Sequence, residues 1–305
     1  MSSQPYSIII ATKDRESYLA NLLESLLRLT HKPVEIVVSS SGRDISNVIG
    51  LYKNSLNLVH IVSEVSSQIF QKKQAILNLS NKADWVVFLD DDVLVKDSTI
   101  DEAFRCYELH GDKEEIAGVG FAIENLDITR SGYPKRFYAK KLGRVLKSGH
   151  NVGYLNSVKP IYTEWLNGAS MWRYSELYKY DNELESLKRA LAEDLIFSYS
   201  VSKENKLIYC PSAVVRFQNP ESQYVELRGN ELKLYFFVML YFVSRNSELS
   251  LFRFYTYQLL RFLGSESHRK INLKEFTTFF GYYLPSLRIF FHKKKAHFVM
   301  KMLNL

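Results

Sequence analysis

Short apolar runs alternate with amphipathic segments through the first part of the chain. The runs are rich in Val and Ile and close on polar clusters, which is typical of strands covered on both faces of a sheet. They predict strands over residues 7–12, 34–40, 56–62, 85–93 and 116–123. Apolar residues at helical spacing predict helices over residues 18–29 and 71–83. Strands that alternate with helices predict an α/β fold with a mostly parallel central sheet, of the kind that binds nucleotides.

The second half of the chain is less regular and ends in a helical region. A helix over 184–205 precedes a strand over 207–217, whereas residues 125–160 show no clear period and predict a long functional loop. From residue 231 onward the pattern is helical, and its longest charge-free apolar run (234–243) is shorter than the roughly 20 residues of a membrane span. We therefore expect an α/β domain with two halves and a helical extension, over residues 1–115, 116–230 and 231–305.

The net excess of positive charge lies in this helical extension. The chain has a formal net charge of +7, yet residues 244–305 hold 11 Lys and Arg against 3 Glu, together with 13 Phe and Tyr. A near-neutral body with a basic, aromatic end predicts an anionic partner for that end alone, either a lipid surface or a nucleic acid. Two distant cysteines, Cys106 and Cys210, and a start without a signal-peptide pattern predict a cytosolic protein with reduced thiols.

Three adjacent carboxylates, Asp90, Asp91 and Asp92, follow an apolar predicted strand. Such a cluster is costly to bury unless a cation joins it, and open α/β sheets bind their ligands where strands end. Hard oxygen ligands favour Mg²⁺ or Mn²⁺, which would in turn hold a diphosphate. The alternative is a solvated acidic turn. No glycine precedes Gly42, and the absence of a GxGxxG pattern counts against dinucleotide dehydrogenases and sugar nucleotidyltransferases.

A second acidic pair, Glu193 and Asp194, opens an apolar helical stretch. A carboxylate there could act as a general base in a cleft, but acids in a first helical turn also interact favourably with the helix dipole. Trp165, Asn167 and Gly168 have the composition of a binding turn with an aromatic wall, although core packing explains the tryptophan about as well. Neither pattern decides its role alone.

Taken in order, five segments of the chain resemble glycosyltransferase family 2, the inverting sugar-nucleotide transferases with the GT-A fold. SIIIATKDR resembles the family's first strand and nucleotide loop, and VEIVVSSSGRD resembles its second strand and turn. FLDDDV is similar to the DxD segment that binds metal and diphosphate. WLNGASM resembles the acceptor-side turn, and AEDLIFSYSV resembles the segment that supplies the base. Five motifs in this order, across roughly residues 5–220, make the resemblance specific.

The resemblance implies a role for each matched residue. Asp194 is expected to be the catalytic base, and Asp92 is expected to bind a Mn²⁺ or Mg²⁺ cofactor. The residues expected to bind the acceptor are Trp165, Asn167, Gly168 and Glu193. Those expected to bind the nucleotide sugar are Thr12, Lys13, Asp14, Arg15, Ser39, Lys72, Asp90, Asp91 and Arg216.

Two positions depart from the family's pattern. Ser39 opens a run of serines where relatives commonly carry an acid that meets the nucleotide base, so UDP and dTDP are favoured over GDP without excluding it. Arg216 stands where many relatives have a histidine beside the metal or diphosphate. An arginine cannot ligate a cation, but its fork can bind a diphosphate directly. Metal dependence is therefore expected to be weaker than in most relatives.

The expected activity is transfer of a sugar, with inversion, from a nucleoside diphosphate to a hydroxyl of a glycan or lipid-linked glycan in cell-surface polysaccharide synthesis. We expect a cytoplasmic enzyme, peripheral on the inner face of the cell membrane, with residues 244–305 on anionic lipid. Alternatively, the aromatic residues of that segment pack against the catalytic domain or a second subunit in a homo-oligomer. Two other classes stay open: an inactive transferase-like scaffold and a nucleic-acid-binding protein. The latter does not explain the acidic triplet, so nucleic acid is not an expected partner.

Overall fold

The computed structural model describes residues 4–80, 83–110, 113–126, 141–154, 157–180, 183–185, 187, 191–221, 229–264, 273–292 and 294–303. Within them the chain forms a central sheet flanked by helices, and further helices follow towards the C-terminal end. This arrangement confirms the α/β fold with a helical extension that the alternating pattern predicts.

The strands and helices of the sheet-containing part follow the predicted alternation. The strands are β1 (Tyr6–Lys13), β2 (Glu35–Ser41), β3 (Leu58–Val62), β4 (Trp85–Asp90), β5 (Val93–Val95), β6 (Ile116–Ile123), β7 (Ile161–Thr163), β8 (Ser170–Arg173) and β9 (Lys206–Phe217). The helices are α1 (Glu16–Leu27), α2 (Ser46–Tyr52), α3 (Gln68–Leu77), α4 (Thr99–Leu109) and α5 (Glu193–Ser202). All of β2 and all but the last residue of β1 are buried, which is why these strands lack a solvent-facing polar alternation.

The strand order places β1 at the centre of the parallel part of the sheet. The order is β3-β2-β1-β4-β8-β6-β9-β5, and β7 pairs with β9. β1 is parallel to both β2 and β4, whereas β8 is antiparallel to β4 and β6. The register sets Ala11 opposite Asp90. The carboxyl ends of β1 and β4 therefore lie at the same edge of the sheet, where open α/β folds bind ligands.

The strand predicted over residues 85–93 is two strands in the structure. β4 ends at Asp90 and β5 begins at Val93, so Asp91 and Asp92 of the acidic triplet form the turn between them. The alternative of a solvated acidic turn is wrong, because Asp91 and Asp92 are both buried. Of the long loop predicted over 125–160, a large part lies outside the described residues.

Two predicted helices have different bounds in the structure. α3 begins at Gln68, upstream of the predicted start, because the Ser67 hydroxyl accepts a hydrogen bond from the backbone N–H of Phe70 at 3.4 Å. A serine cap of this kind satisfies one of the free N–H groups of a first helical turn. Of the helix predicted over 184–205, residues 186 and 188–190 lie outside the described residues, and α5 begins at the acidic pair itself.

The described residues form two compact units. One is drawn from residues 1–144 and 153–224 and contains the sheet, and the other is drawn from residues 145–152 and 225–305. The helices of the second unit are α6 (Asn230–Arg245), α7 (Leu251–Gly264), α8 (Leu273–Ser286) and α9 (Lys295–Leu303). α6 is buried continuously from Phe236 to Val243, as expected of a helix that is apolar on all sides. In the described part of the chain, no helix has the length and apolar character to cross a membrane.

Candidate active site

A cavity of about 650 Å³ opens where β1 and β4 end, in the unit that contains the sheet. Part of its lining is apolar and comes from the neighbouring strands β5, β6 and β9, through Val93, Ile123 and Phe217. The polar part contains most of the residues that the sequence motifs predict for the site. These are Thr12, Lys13, Arg15, Asp90, Asp91, Asp92, Asn167, Gly168 and Asp194.

The end of β1 and the loop after it hold two carboxylates of the acidic triplet. Thr12 Oγ1 donates a hydrogen bond to Asp91 Oδ2 at 2.6 Å. Arg15 Nη1 donates to Asp91 Oδ1 at 2.9 Å and to Asp92 Oδ2 at 3.2 Å. A guanidinium and a hydroxyl thus compensate charges that would otherwise be costly in a buried turn. This network explains why the chain leaves the sheet between Asp90 and Val93.

Asp90 and Asp194 converge on Gly168. A Cβ atom placed on Gly168 would lie 2.4 Å from Asp90 Oδ2 and 3.3 Å from Asp194 Oδ2. The first distance is shorter than any ordinary contact, so the position requires glycine if both carboxylates are to stay in place. Gln68 Nε2 also holds Asp90, donating to its Oδ1 at 2.9 Å. Three of the predicted motifs therefore meet at one point of the cavity.

Lys72 is fully buried behind these carboxylates and does not line the cavity. Its Nζ donates to Glu193 Oε1 at 2.6 Å, and it lies 3.5 Å from Asp90 Oδ1 and 3.8 Å from Asp194 Oδ1. Glu193, which is predicted to lie at the acceptor, is buried against Lys72 and does not line the cavity either. Both residues therefore lie behind the cavity wall, where Lys72 contacts the carboxylates of Asp90 and Asp194 that line it.

The residue before the acidic pair has an unusual backbone conformation. Ala192 precedes α5 in the left-handed region, with φ 59° and ψ 20°. A residue with a Cβ atom costs about 1–2 kcal/mol there, and such strain persists only where the surroundings determine the conformation. Directly after this bend, Glu193 is buried against Lys72, whereas the adjacent Asp194 lines the cavity.

Burial and charge shift the pKa values of these groups. Burial, reinforced by repulsion from Asp90 and Asp91, raises the pKa of Asp92 to about 6. Burial and the adjacent Glu193 carboxylate raise the pKa of Asp194 well above its usual range, although 37% of this side chain is exposed. Burial opposes the charge of Lys72, but the surrounding carboxylates outweigh it and raise the pKa of the lysine. Asp194 thus has the raised proton affinity that suits a general base.

Two residues predicted to bind the nucleotide sugar have structural contacts instead. Asp14, at the end of β1, has a positive φ of 54°, and its Oδ1 accepts a hydrogen bond from the backbone N–H of Arg43 at 2.8 Å. It ties the loop after β1 to the loop after β2 and does not line the cavity. Ser39 is buried within β2, where its carbonyl oxygen accepts from Gln71 Nε2 at 2.9 Å.

Trp165 and Arg216 are also away from the cavity lining. Trp165 is half-buried and packs on the ring of Tyr154 with centroids 4.6 Å apart, so its contact with an acceptor stays a prediction. Arg216 is exposed, and its neighbour Phe217 lines the cavity in its place. Successive side chains of a strand point to opposite faces, so these two residues of β9 cannot both face the cavity. Arg216 thus lies outside the cavity lining, and its direct binding of the diphosphate stays a prediction.

Several residues of the site are not predicted by the motifs. Gln71 Nε2 donates to the carbonyl oxygen of Thr12 at 2.8 Å and so fixes the end of β1. Gln218 Nε2 donates to the carbonyl oxygen of Asp91 at 3.1 Å, and the Tyr154 hydroxyl accepts from the N–H of Asn167 at 3.0 Å. For α3 a signal exists in the sequence. On its buried face Lys72 follows Ile69 by three residues and Gln71 precedes Ala75 by four, so polar residues stand where an amphipathic pattern calls for apolar ones.

The acidic turn fits a divalent cation that is shared with a ligand. Among the described residues, no group of three or more His, Cys, Asp or Glu side chains is arranged to hold a metal ion. Mg²⁺ is, however, commonly bound by one or two carboxylates together with substrate phosphates. Burial, together with repulsion from Asp90 and Asp91, raises the pKa of Asp92, and a nearby cation would offset both effects. The donor set therefore suits a metal that arrives with a phosphorylated ligand.

Comparison with known sequences identifies the family. The sequence model of the glycosyltransferase-like family 2 matches residues 4–232, so the chain belongs to this family of glycosyltransferases. This confirms the resemblance carried by the five motifs. No curated protein matches the chain.

Comparison with solved structures identifies the fold as GT-A. The crystal structure of S. aureus TarS 1–349 has a TM-score of 0.59 and 16% identity, and the match covers 98% of this chain and 88% of TarS 1–349. The same fragment in complex with UDP-GlcNAc gives the same values. The mannosyltransferase PcManGT from Pyrobaculum calidifontis, in complex with GDP-Man and Mn²⁺, has a TM-score of 0.55 and 12% identity, covering 99% and 87%. At sequence identities of 12% and 16%, the similarity to these structures shows the fold alone.

Proposed function

We propose that this glycosyltransferase transfers a sugar from a nucleoside diphosphate to an acceptor hydroxyl and inverts the anomeric configuration. The observation that carries the proposal is the convergence of Asp90 and Asp194 on Gly168 at the cavity. A carboxylate at the strand end and a separate carboxylate with a raised pKa supply the two functions that such a displacement needs. The Asp90 carboxylate positions the donor, and the Asp194 carboxylate removes a proton from the nucleophile.

In the proposed reaction, the donor lies along the end of β1 and the acidic turn. Lys13 and Arg15 line the cavity there, and they offer positive charge to a diphosphate. Asp194 takes the proton from the acceptor hydroxyl while the hydroxyl oxygen attacks the anomeric carbon. The bond from that carbon to the diphosphate oxygen breaks on the opposite face. One displacement of this kind inverts the configuration, and the nucleoside diphosphate leaves with the bonding electrons.

We further propose that Asp92 holds a Mn²⁺ or Mg²⁺ ion together with the diphosphate. A bound cation supplies neutralisation of the charge that develops on the leaving group. PcManGT was solved with GDP-Man and Mn²⁺, which supports a metal in this fold. Arg216 is exposed and does not line the cavity, so we propose that the ion, and not this arginine, is the main counter-charge to the diphosphate.

For the substrates, we propose a UDP or dTDP sugar and a glycan or lipid-linked glycan acceptor in polysaccharide synthesis. TarS 1–349 was solved with UDP and with UDP-GlcNAc, which supports a uracil nucleotide, whereas PcManGT was solved with GDP-Man. The serines at the end of β2 leave the base-contacting position without the acid that many relatives carry. Asn167 lines the cavity beside Gly168 and is proposed to contact the acceptor. We place the enzyme on the inner face of the cell membrane.

The proposal is tested by a thermal-shift screen of UDP, dTDP and GDP sugars with and without Mn²⁺. A ligand that binds only the folded protein raises the melting temperature. We expect a uracil or thymine nucleotide sugar to raise it, and Mn²⁺ to increase the shift. Product from a reacting donor should have the opposite anomeric configuration. If no nucleotide sugar stabilises the protein or is consumed, the chain is an inactive transferase-like scaffold and the proposal fails.

A further inference from the structure

Within the second unit, α7 and α8 form an antiparallel helical hairpin. The last turn of α7 packs on the middle of α8, with the Phe262 and Phe279 rings 4.1 Å apart between centroids. At the other end, the Tyr255 hydroxyl near the start of α7 donates to the carbonyl oxygen of Ser286 at the end of α8, at 2.8 Å. This aromatic seam is the buried side of the hairpin, so the remaining apolar residues of the two helices need another explanation.

Each helix of the hairpin also carries an exposed apolar stripe. On α7 the stripe consists of Phe252, Leu260 and Leu263, which are spaced along one face. On α8 it consists of Leu273, Phe276 and Leu284, again at helical spacing. Phe276 of the α8 stripe lies near the last turn of α7, with its ring centroid 6.4 Å from that of Phe262. Exposed apolar side chains that are grouped on neighbouring helices in this way indicate an interaction site.

The net charge of the segment that carries this face indicates what it binds. Residues 244–305 hold 11 Lys and Arg against 3 Glu, and Arg253 is exposed beside the α7 stripe. A face that combines Leu and Phe with surrounding cations is typical of a helix that lies in the headgroup region of an anionic membrane. A protein partner of the same apolar character would not require the basic excess. We infer that the α7–α8 face docks on an anionic lipid surface, with its leucines and phenylalanines inserted at headgroup depth.

The test is co-sedimentation of the full-length protein with lipid vesicles. We expect binding to phosphatidylcholine vesicles that contain phosphatidylglycerol, weaker binding to phosphatidylcholine alone, and loss of binding at high salt, because salt screens the attraction to lipid charge. The double variant Leu260→Ser/Leu273→Ser should bind about tenfold more weakly or worse, because it removes apolar groups that enter the membrane. These side chains are 64% and 76% exposed, so their replacement leaves the folded core intact.

The matched control is Leu51→Ser/Leu109→Ser. These leucines are 77% and 78% exposed and lie on α2 and α4, outside the hairpin. The control should bind vesicles like the wild type. Equal binding of both double variants, or no binding of the wild type to phosphatidylglycerol vesicles, would overturn the inference. A third outcome would also overturn it: the wild type forms a dimer, and the hairpin variant loses the dimer but still binds vesicles. A second copy of the chain would then cover the face. Sedimentation does not depend on the transfer reaction, so failure of one proposal leaves the other testable.

Discussion

Lys72 Nζ and Glu193 Oε1 form a buried ion pair at 2.6 Å, between residues that lie 121 positions apart in the sequence. The lysine also lies within 4 Å of Asp90 and Asp194, so one cation is shared by the donor-side carboxylate and the proposed base. The attraction within a buried ion pair offsets the cost of removing both charges from water only when the geometry is favourable and further polar groups contact the pair. We interpret Lys72 as the residue that positions both carboxylates.

Replacing Lys72 with Met should destabilise the protein by about 3–5 kcal/mol, because Glu193 is left buried without its counter-charge. Urea unfolding measures the change. Addition of Glu193→Gln should recover part of the loss, since the two charges are then removed together. The neighbouring Lys73→Met is the matched control: its ion pair with Glu185 is partly exposed, and its loss should cost less than about 1 kcal/mol. Purely additive effects of the Lys72 and Glu193 variants would show that the pair is not coupled.

The fold and the edge of the sheet that carries the site follow from the sequence, because strands buried on both faces appear as apolar runs. Ile8 to Ile10 is completely buried, as this reasoning requires. The role of Lys72 does not follow, because which lysine of α3 is buried depends on a carboxylate far along the chain. For Arg216 the missing step is local. Strand alternation alone assigns the cavity to Phe217 or to Arg216, and only the tertiary structure decides which.

Replacing Gly168 with Ala should lower turnover by about a hundredfold, the scale expected when a reacting group moves by about an ångström. The new Cβ atom would lie 2.4 Å from Asp90 Oδ2, so the strand-end carboxylate or the turn must shift. Gly50→Ala is the matched control, since a Cβ atom there meets nothing within 4 Å. Steady-state release of nucleoside diphosphate compares the two variants. Unchanged turnover of Gly168→Ala would place the reaction elsewhere in the cavity.

Replacing Asp92 with Asn should stabilise the metal-free protein while weakening its binding of donor and Mn²⁺. The pKa of Asp92 is raised from 3.8 to about 6, so its ionisation at pH 7 disfavours the folded state. The variant removes this cost, which corresponds to a gain of up to about 3 kcal/mol at pH 7. The gain should shrink as the pH falls from 6 towards 4, because the wild type then takes up the proton.

Urea unfolding in the presence of a chelator measures this pH dependence, and Asp44→Asn serves as its control. Hydrogen bonds from Ser46 lower the pKa of Asp44, so this exposed carboxylate stabilises the fold when it is ionised. Its replacement should therefore lower stability at pH 7, and the difference should vanish in acid. If Asp92→Asn behaves like Asp44→Asn, the triplet is not electrostatically strained.

The most direct test of the account is a comparison of wild type and Asp194→Asn with a donor that the wild type consumes. The substitution keeps the size of the side chain but removes its basic oxygen, and nucleoside diphosphate release should fall by about a hundred- to ten-thousandfold. Affinity for the nucleoside diphosphate, measured by calorimetry, should stay within about a few-fold, because in the proposed reaction Asp194 acts on the acceptor, not on the nucleotide. Turnover near the wild-type rate would contradict the central claim and leave Asp194 as an acid that favours the start of α5.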